Sequence, residues 1–149
     1  MKLLFLDVDG VVANEASSIR HPRKHVDDIA APECVAALNR ILRETGAKIV
    51  VSASMRVDGV ESLIEQFRLW GIEGEIVGIT PLFEWTSPRF KEIDAYLQQN
   101  QCPDSLVILD DEDDMGALLP YLVQTKFECG LTEADADKAV ALLNQAEEG

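Results

Sequence analysis

The stretch Lys2-Leu3-Leu4-Phe5-Leu6-Asp7-Val8-Asp9-Gly10 decides the fold. Residues 3–6 are continuously apolar rather than alternating, the pattern of a strand buried on both faces of a parallel sheet. Acids then stop it abruptly. Two further apolar runs also stop sharply, Ala47–Val51 at Ser52-Ala53-Ser54 and Leu106–Leu109 at the acids Asp110-Asp111-Glu112-Asp113-Asp114. Weaker strands are expected over Glu75–Ile79 and Leu122–Thr125.

Between these runs the period changes from continuous to helical. Pro32–Thr45 places Val35, Leu38, Ile41 and Leu42 on one face, with Pro in the first turn and Gly46 just past the end. Asp58 followed by Glu61 resembles a capping box, opening a helix with Val60, Leu63, Ile64 and Phe67 inward, Trp70 following that face, and Gly71 as its stop. Ser87-Pro88 opens another, carrying Ile93, Tyr96 and Leu97; Thr132 caps a last one in which Ala136, Val140 and Leu143 face inward. Strands alternating with helices predict a three-layer α/β/α Rossmann-like domain over residues 1–149, with a central parallel sheet of about five strands. Ligands of such sheets bind beyond the carboxyl ends of the strands, so the residues after Leu6, Val51 and Leu109 are expected at one rim.

Carboxylates brought together at neighbouring strand ends repel, and each raises the other's pKa unless a cation lies between them. Several carboxylates plus water suit Mg²⁺. A carboxylate beside that ion can attack phosphorus, and an acid two residues further on can protonate a leaving oxygen and later activate water. Asp7 and Asp9 have this spacing, and Gly10 allows a tight turn beside them.

The combination resembles the haloacid dehalogenase (HAD) superfamily. LFLDVDGVV is similar to its first motif, IVVSAS to its second and VILDDEDD to its fourth, in the same order over nearly the whole chain. DVDGVV, SASMR, PRFKEI and GLTEADADKAVALL together resemble the small HAD domains grouped with RNA-repair enzymes. The resemblance implies a Mg²⁺-dependent phosphohydrolase acting on a phosphomonoester through an aspartyl-phosphate. It makes Asp7 the nucleophile and Asp9 the general acid/base, whose backbone carbonyl reaches the metal. Ser52 becomes the phosphate-binding hydroxyl, Asp111 with Asp110 the metal-binding acids, and Asp114 an outer partner. The third-motif cation is Arg89 or Lys91; a guanidinium, able to hold phosphate oxygens bidentately, favours Arg89. The connections Asp9–Pro32 and Met55–Pro88 are too short for a large cap domain, so an open site is expected, which in the superfamily goes with macromolecular or bulky phosphate substrates or with closure by a partner subunit; the expected substrate is a phosphorylated small molecule or nucleic-acid end.

Other residues stay open at this level. Arg20-His21-Pro22-Arg23-Lys24-His25 is a basic knot that either gathers an anionic substrate or is solvated; two histidines without a third partner make a poor metal site. Arg56 faces substrate or solvent. Phe83 and Trp85 form an aromatic wall or, the preferred reading, cover the sheet edge. The alternatives to an enzyme are a degenerate HAD domain serving as a binding or regulatory module, and a response-regulator-like phosphate acceptor. The latter is disfavoured because Thr80-Pro81, with no Asp, follows the third strand.

Bulk properties bound these readings. A formal net charge of −14 argues against strong general binding to nucleic acid or anionic membrane. No apolar run approaches the ~18–20 residues of a membrane span, and the apolar start meets Asp7 too soon for a signal peptide. Cys34, Cys102 and Cys129 lack metal-ligand spacing, and a reducing cytoplasm suits them.

Overall fold

The computed structural model describes residues 1–20, 30–52, 59–81 and 88–148. Five strands, β1 (Lys2–Leu6), β2 (Lys48–Val51), β3 (Ile76–Ile79), β4 (Ser105–Asp110) and β5 (Leu122–Gln124), form one parallel sheet in the order β3-β2-β1-β4-β5. Leu6 lies opposite Val51 on one side and Leu109 on the other, Val51 opposite Ile79, and Leu109 opposite Val123. The order reverses at β1, so the carboxyl ends of β1 and β4 flank the crevice that this topology opens.

Two unequal layers cover the sheet. On one face Leu4, Leu6, Ile49, Val51, Val107 and Leu109 pack against α2 (Pro32–Thr45), α3 (Val60–Trp70) and α5 (Glu133–Glu148). On the other, Leu3, Phe5, Val50 and Ile108 meet Ile93, Phe90 and Tyr96 of α4 (Arg89–Gln99), together with Met115 and with Leu118 of the 3-10 turn that follows it over Gly116–Tyr121. Trp70 is partly buried and stacks on Phe67, their centroids 5.7 Å apart.

Local signals explain the helix ends. Pro32 begins α2, and Gly46, at φ 72°, ends it by donating its N–H to the Leu42 carbonyl at 2.9 Å. Thr132 and Asp135 exchange side-chain-to-backbone hydrogen bonds of 3.2 and 3.1 Å at the start of α5, a capping box with Asp in the acid's place. Asn39 of α2 donates to the Gly71 carbonyl and accepts from the Glu73 N–H, both at 2.8 Å, locking the turn after α3 onto α2.

Several expectations need correction. Ile64, expected inward, is 48% exposed, because α3 sits over the sheet edge and only Leu63 and Phe67 reach the core. Gly59, at φ 90°, holds the cap position of α3, one residue later than expected, and Asp58 lies outside the described residues. Asp110 belongs to β4 instead of following it, paired with Gln124. A short helix, α1 (Glu15–Arg20), was not anticipated; Asn14 caps it by accepting the Ser17 N–H at 2.9 Å while Ser17 Oγ accepts the Asn14 N–H at 3.0 Å. His21, His25, Arg56, Phe83, Trp85 and Ser87 also lie outside the described residues. Among the described residues, no helix is long and apolar enough to cross a membrane.

Candidate active site

The pleat builds the site. Leu6, Val51, Ile79 and Leu109 point into the α2/α3/α5 layer, so the next residue on each strand points toward α4. Those residues are Asp7, Ser52, Thr80 and Asp110, and the strand order arranges them as a row: Thr80, Ser52, Asp7, Asp110. Backbone bonds hold the row in register. Asp7 N–H donates to Leu109 O at 3.1 Å, Ser52 N–H to Leu6 O at 2.9 Å, and Thr80 N–H to Val51 O at 3.0 Å. All four side chains are screened from bulk water: Asp7 is 6% exposed, Ser52 0%, Thr80 1% and Asp110 1%.

Arg89, in the first turn of α4, reaches the row from above. Its Nη2 lies 3.8 Å from Asp7 Oδ1 and its Nε 3.5 Å from Asp110 Oδ2. Lys91 is exposed. Of the two third-motif candidates, the fold therefore brings Arg89 to the carboxylates. Asp111 joins them from the turn after β4, and oxygens of Asp7, Asp110 and Asp111 lie within 4.8 Å of one another. The carboxylates of Asp9 and Asp114 are outside that group; both residues are exposed.

The loop after β1 is held tightly. Val11, Val12 and Ala13 all donate to the Val8 carbonyl at 3.1 Å, and Gly10 donates to Ala13 O at 2.9 Å. Thr125 Oγ1, at the end of β5, donates to Gly10 O at 2.5 Å. Gly10 has φ 83°, and a Cβ there would lie 2.5 Å from Asp111 Oδ2. Only glycine lets the first loop and Asp111 approach so closely. Thr80 and Thr125 were not singled out from the sequence as site residues, although each follows an apolar run as Ser52 does.

Electrostatics make the site receptive to a cation. Burial, and then the Asp110 carboxylate, raise the Asp7 pKa well above the usual range, with Arg89 opposing. Burial likewise pushes Asp110 up to about 6, against the Glu112 N–H bond and Arg89. Asp110 Oδ2 is buried without a hydrogen-bond partner, and the Arg89 Nε lies 3.5 Å from it. Among the described residues, three carboxylates meet one guanidinium, an excess of negative charge in a dry setting, and hard oxygen donors at this spacing fit a divalent cation such as Mg²⁺.

The family described as "HAD domain in Swiss Army Knife RNA repair proteins" matches residues 3–136. The chain belongs to this family. At the superfamily level it is therefore a phosphatase-like hydrolase domain, on the Rossmann-like sheet described above. A solved structure superposes with a TM-score of 0.50 at 15% identity, covering 96% of this chain and 80% of its own, a likeness of fold. No curated protein matches the sequence. In this HAD domain the expected first, second and fourth motifs fall on the carboxyl ends of β1, β2 and β4, and Arg89 comes from the helix that leads into β4.

Proposed function

We propose that this HAD domain is a Mg²⁺-dependent phosphohydrolase that cleaves a phosphomonoester through an aspartyl-phosphate on Asp7. The observation that carries the reading is the convergence of Asp7, Asp110 and Asp111 with Arg89 at the sheet's topological switch.

Asp7, Asp110 and Asp111 would hold the metal, which when bound offsets charge between the anionic nucleophile and the anionic ester. Arg89 draws phosphoryl oxygens toward Asp7 and opposes the upward pull of burial and of Asp110 on its pKa. Asp7 attacks phosphorus in line with the leaving oxygen, and the Ser52 hydroxyl, one strand away, donates to a phosphoryl oxygen. Asp9, exposed and outside the carboxylate group, is free to protonate the leaving oxygen and then to activate the water that releases phosphate.

The substrate is a phosphorylated small molecule or a phosphorylated nucleic-acid end. The family's description favours including the latter, whereas the charge of −14 argues against salt-sensitive binding along a nucleic-acid backbone. The three free thiols suit a reducing cytoplasm.

The test is hydrolysis of an aryl phosphate and of phosphorylated oligonucleotide ends by wild type and Asp7→Asn, each with Mg²⁺ or EDTA. Mg²⁺-dependent turnover that drops by about 10³-fold or more in Asp7→Asn is expected. Saturable Mg²⁺ binding without turnover of any ester would instead indicate a binding module.

A further inference from the structure

The carbonyls of the loop after β1 are held in two ways. Val8 O accepts the N–H groups of Val11, Val12 and Ala13, Val11 O that of Leu131 at 2.8 Å, Val12 O that of Ala31 at 2.7 Å, and Ala13 O that of Gly10 at 2.9 Å. Gly10 O instead takes a side chain, the Thr125 hydroxyl at 2.5 Å. Every residue but proline carries a backbone donor, whereas the hold on the Gly10 carbonyl depends on which residue stands at 125. Gly10 is also where the loop meets Asp111: a Cβ there would lie 2.5 Å from Oδ2 and 2.7 Å from Cγ of that side chain. β5 pairs with β4 and not with β1, so Thr125, which follows β5, reaches past the end of β4 to make its bond. The same end of β5 grips β4: Thr125 N–H donates to Asp110 O at 3.0 Å and Gln124 Nε2 to Asp111 O at 3.2 Å. Thr125 is 2% exposed, and valine would match its shape without a polar atom, so the hydroxyl serves the loop and not the strand.

We infer that Thr125 is a positioning residue of the metal site: its hydroxyl fixes Gly10 against Asp111 and so keeps the Asp111 carboxylate beside Asp7 and Asp110. The inference rests on the proposed role of these acids as metal ligands and adds a residue that acts on them through the backbone of the loop. Carboxylate oxygens within 4.8 Å of one another repel, and the three acids are not equally restrained. Asp110 lies within β4, and Asp7 follows β1 with its N–H bonded to Leu109 O at 3.1 Å, whereas Asp111 stands on the turn beyond β4. Asp111 is therefore the acid freest to swing away, and Gly10 is a close neighbour that limits it. A cation binds more tightly to acids already gathered than to acids that have still to be gathered, so a firmly held Gly10 shows as metal affinity. At saturating metal the acids are together in any case, and the rate there depends little on Thr125.

The test is calorimetry with Mg²⁺ alone on the full chain, comparing wild type with Thr125→Val, Thr125→Ser and Thr45→Val. Thr45 is the control: at the end of α2, just before β2 and so at the opposite end of the sheet, its buried hydroxyl donates to Ile41 O at 2.7 Å. Thr125→Val should raise the Mg²⁺ Kd by about 10-fold, and Thr125→Ser, which keeps the hydroxyl, should restore it. Thr45→Val should melt lower than wild type and bind Mg²⁺ as wild type does. With an aryl phosphate, Thr125→Val should shift the Mg²⁺ concentration for half-maximal rate by the same factor and leave kcat at saturating Mg²⁺ nearly unchanged. An unchanged Mg²⁺ Kd in Thr125→Val, or an equal weakening in Thr45→Val, would make the hydroxyl a stabilising group alone and overturn the inference. If Thr125→Val does not fold, Thr125→Ala against Thr125→Ser supplies the same comparison. A wild type that binds Mg²⁺ but hydrolyses no ester removes the proposed function, and the affinities still decide this inference; a wild type that binds no Mg²⁺ refutes both.

Discussion

Arg89 and Lys91 are separated by one residue, yet the first turn of α4 sends them to different environments. Arg89 lies 3.5–3.8 Å from two buried carboxylates, whereas Lys91 is exposed. Arg89→Ala should lower kcat by about 10²–10³-fold, as loss of a preorganised cation at developing charge does. Lys91→Ala should leave stability within about 0.5 kcal/mol and turnover within about twofold, as exposed substitutions do. Steady-state kinetics on the pair separates them, and equal losses would put both cations at the phosphate. Gly10 carries a second prediction. In Gly10→Ala the new methyl meets Asp111 Oδ2 at 2.5 Å, and φ 83° is strained for alanine. The fold should lose roughly 1–2 kcal/mol. Because Asp111 must also move, the Mg²⁺ concentration for half-maximal activity should rise, which a metal titration reads separately from the melt.

At the scale of elements, α4 faces the sheet almost alone, so its seating sets the height of Arg89 above the row. Its contact with β3 depends on Gly78, whose missing side chain admits Tyr96, and Tyr96 in turn packs edge-on against Phe5 with centroids 5.8 Å apart. Gly78→Ala places a Cβ within 2.9 Å of the ring and should cost about 1–3 kcal/mol by overpacking. Turnover should fall further than the melt alone explains, because the helix that carries Arg89 has to shift; a loss of stability at full activity would uncouple the two. Helices with their own punctuation were legible beforehand: α2 matched residue for residue, since Pro32 and Gly46 mark its limits chemically. The six residues of α1 and the 3-10 turn over Gly116–Tyr121 were not, being too short for a period to register. Ile64 misled because helical spacing shows which face is apolar, but not how far the neighbouring sheet extends beneath it.

Over the whole molecule, charge dominates the expected response to pH. Asp110 has a pKa of about 6 in the fold against an ordinary 3.8, and Asp7 is raised in the same direction. The folded state thus binds more protons than the unfolded chain across this window, so stability conferred by these groups is full below about pH 4 and is lost as pH rises through 6. For Asp110 the loss reaches up to about 3 kcal/mol. Glu65, Glu73 and Asp104 are shifted oppositely by their cations, but they are exposed and contribute little. In EDTA, the melting temperature should decline between pH 5 and pH 7.5. Millimolar Mg²⁺ should remove most of that decline, and Asp110→Asn should melt higher than wild type without metal at pH 7.5. Scanning fluorimetry over pH, with and without Mg²⁺, checks all three; a flat metal-free profile would mean that the carboxylates are solvated.

The sequence by itself determined which residues make strands, because uninterrupted apolar runs such as Leu3–Leu6 are tolerated only where both faces of a sheet are covered. It also determined that Asp7, Ser52 and Asp110 share a rim, since parallel strands separated by helices put like ends together. Tertiary structure alone decided the rest. Register and pleat placed Thr80 in the same row as Asp7, the seating of α4 turned Arg89 rather than Lys91 to the carboxylates, and close approach at Gly10 brought Asp111 to the other acids. Sequence patterns carry the period of an element, whereas the meeting of two side chains depends on how separate elements are rotated and spaced, which is settled only by their packing.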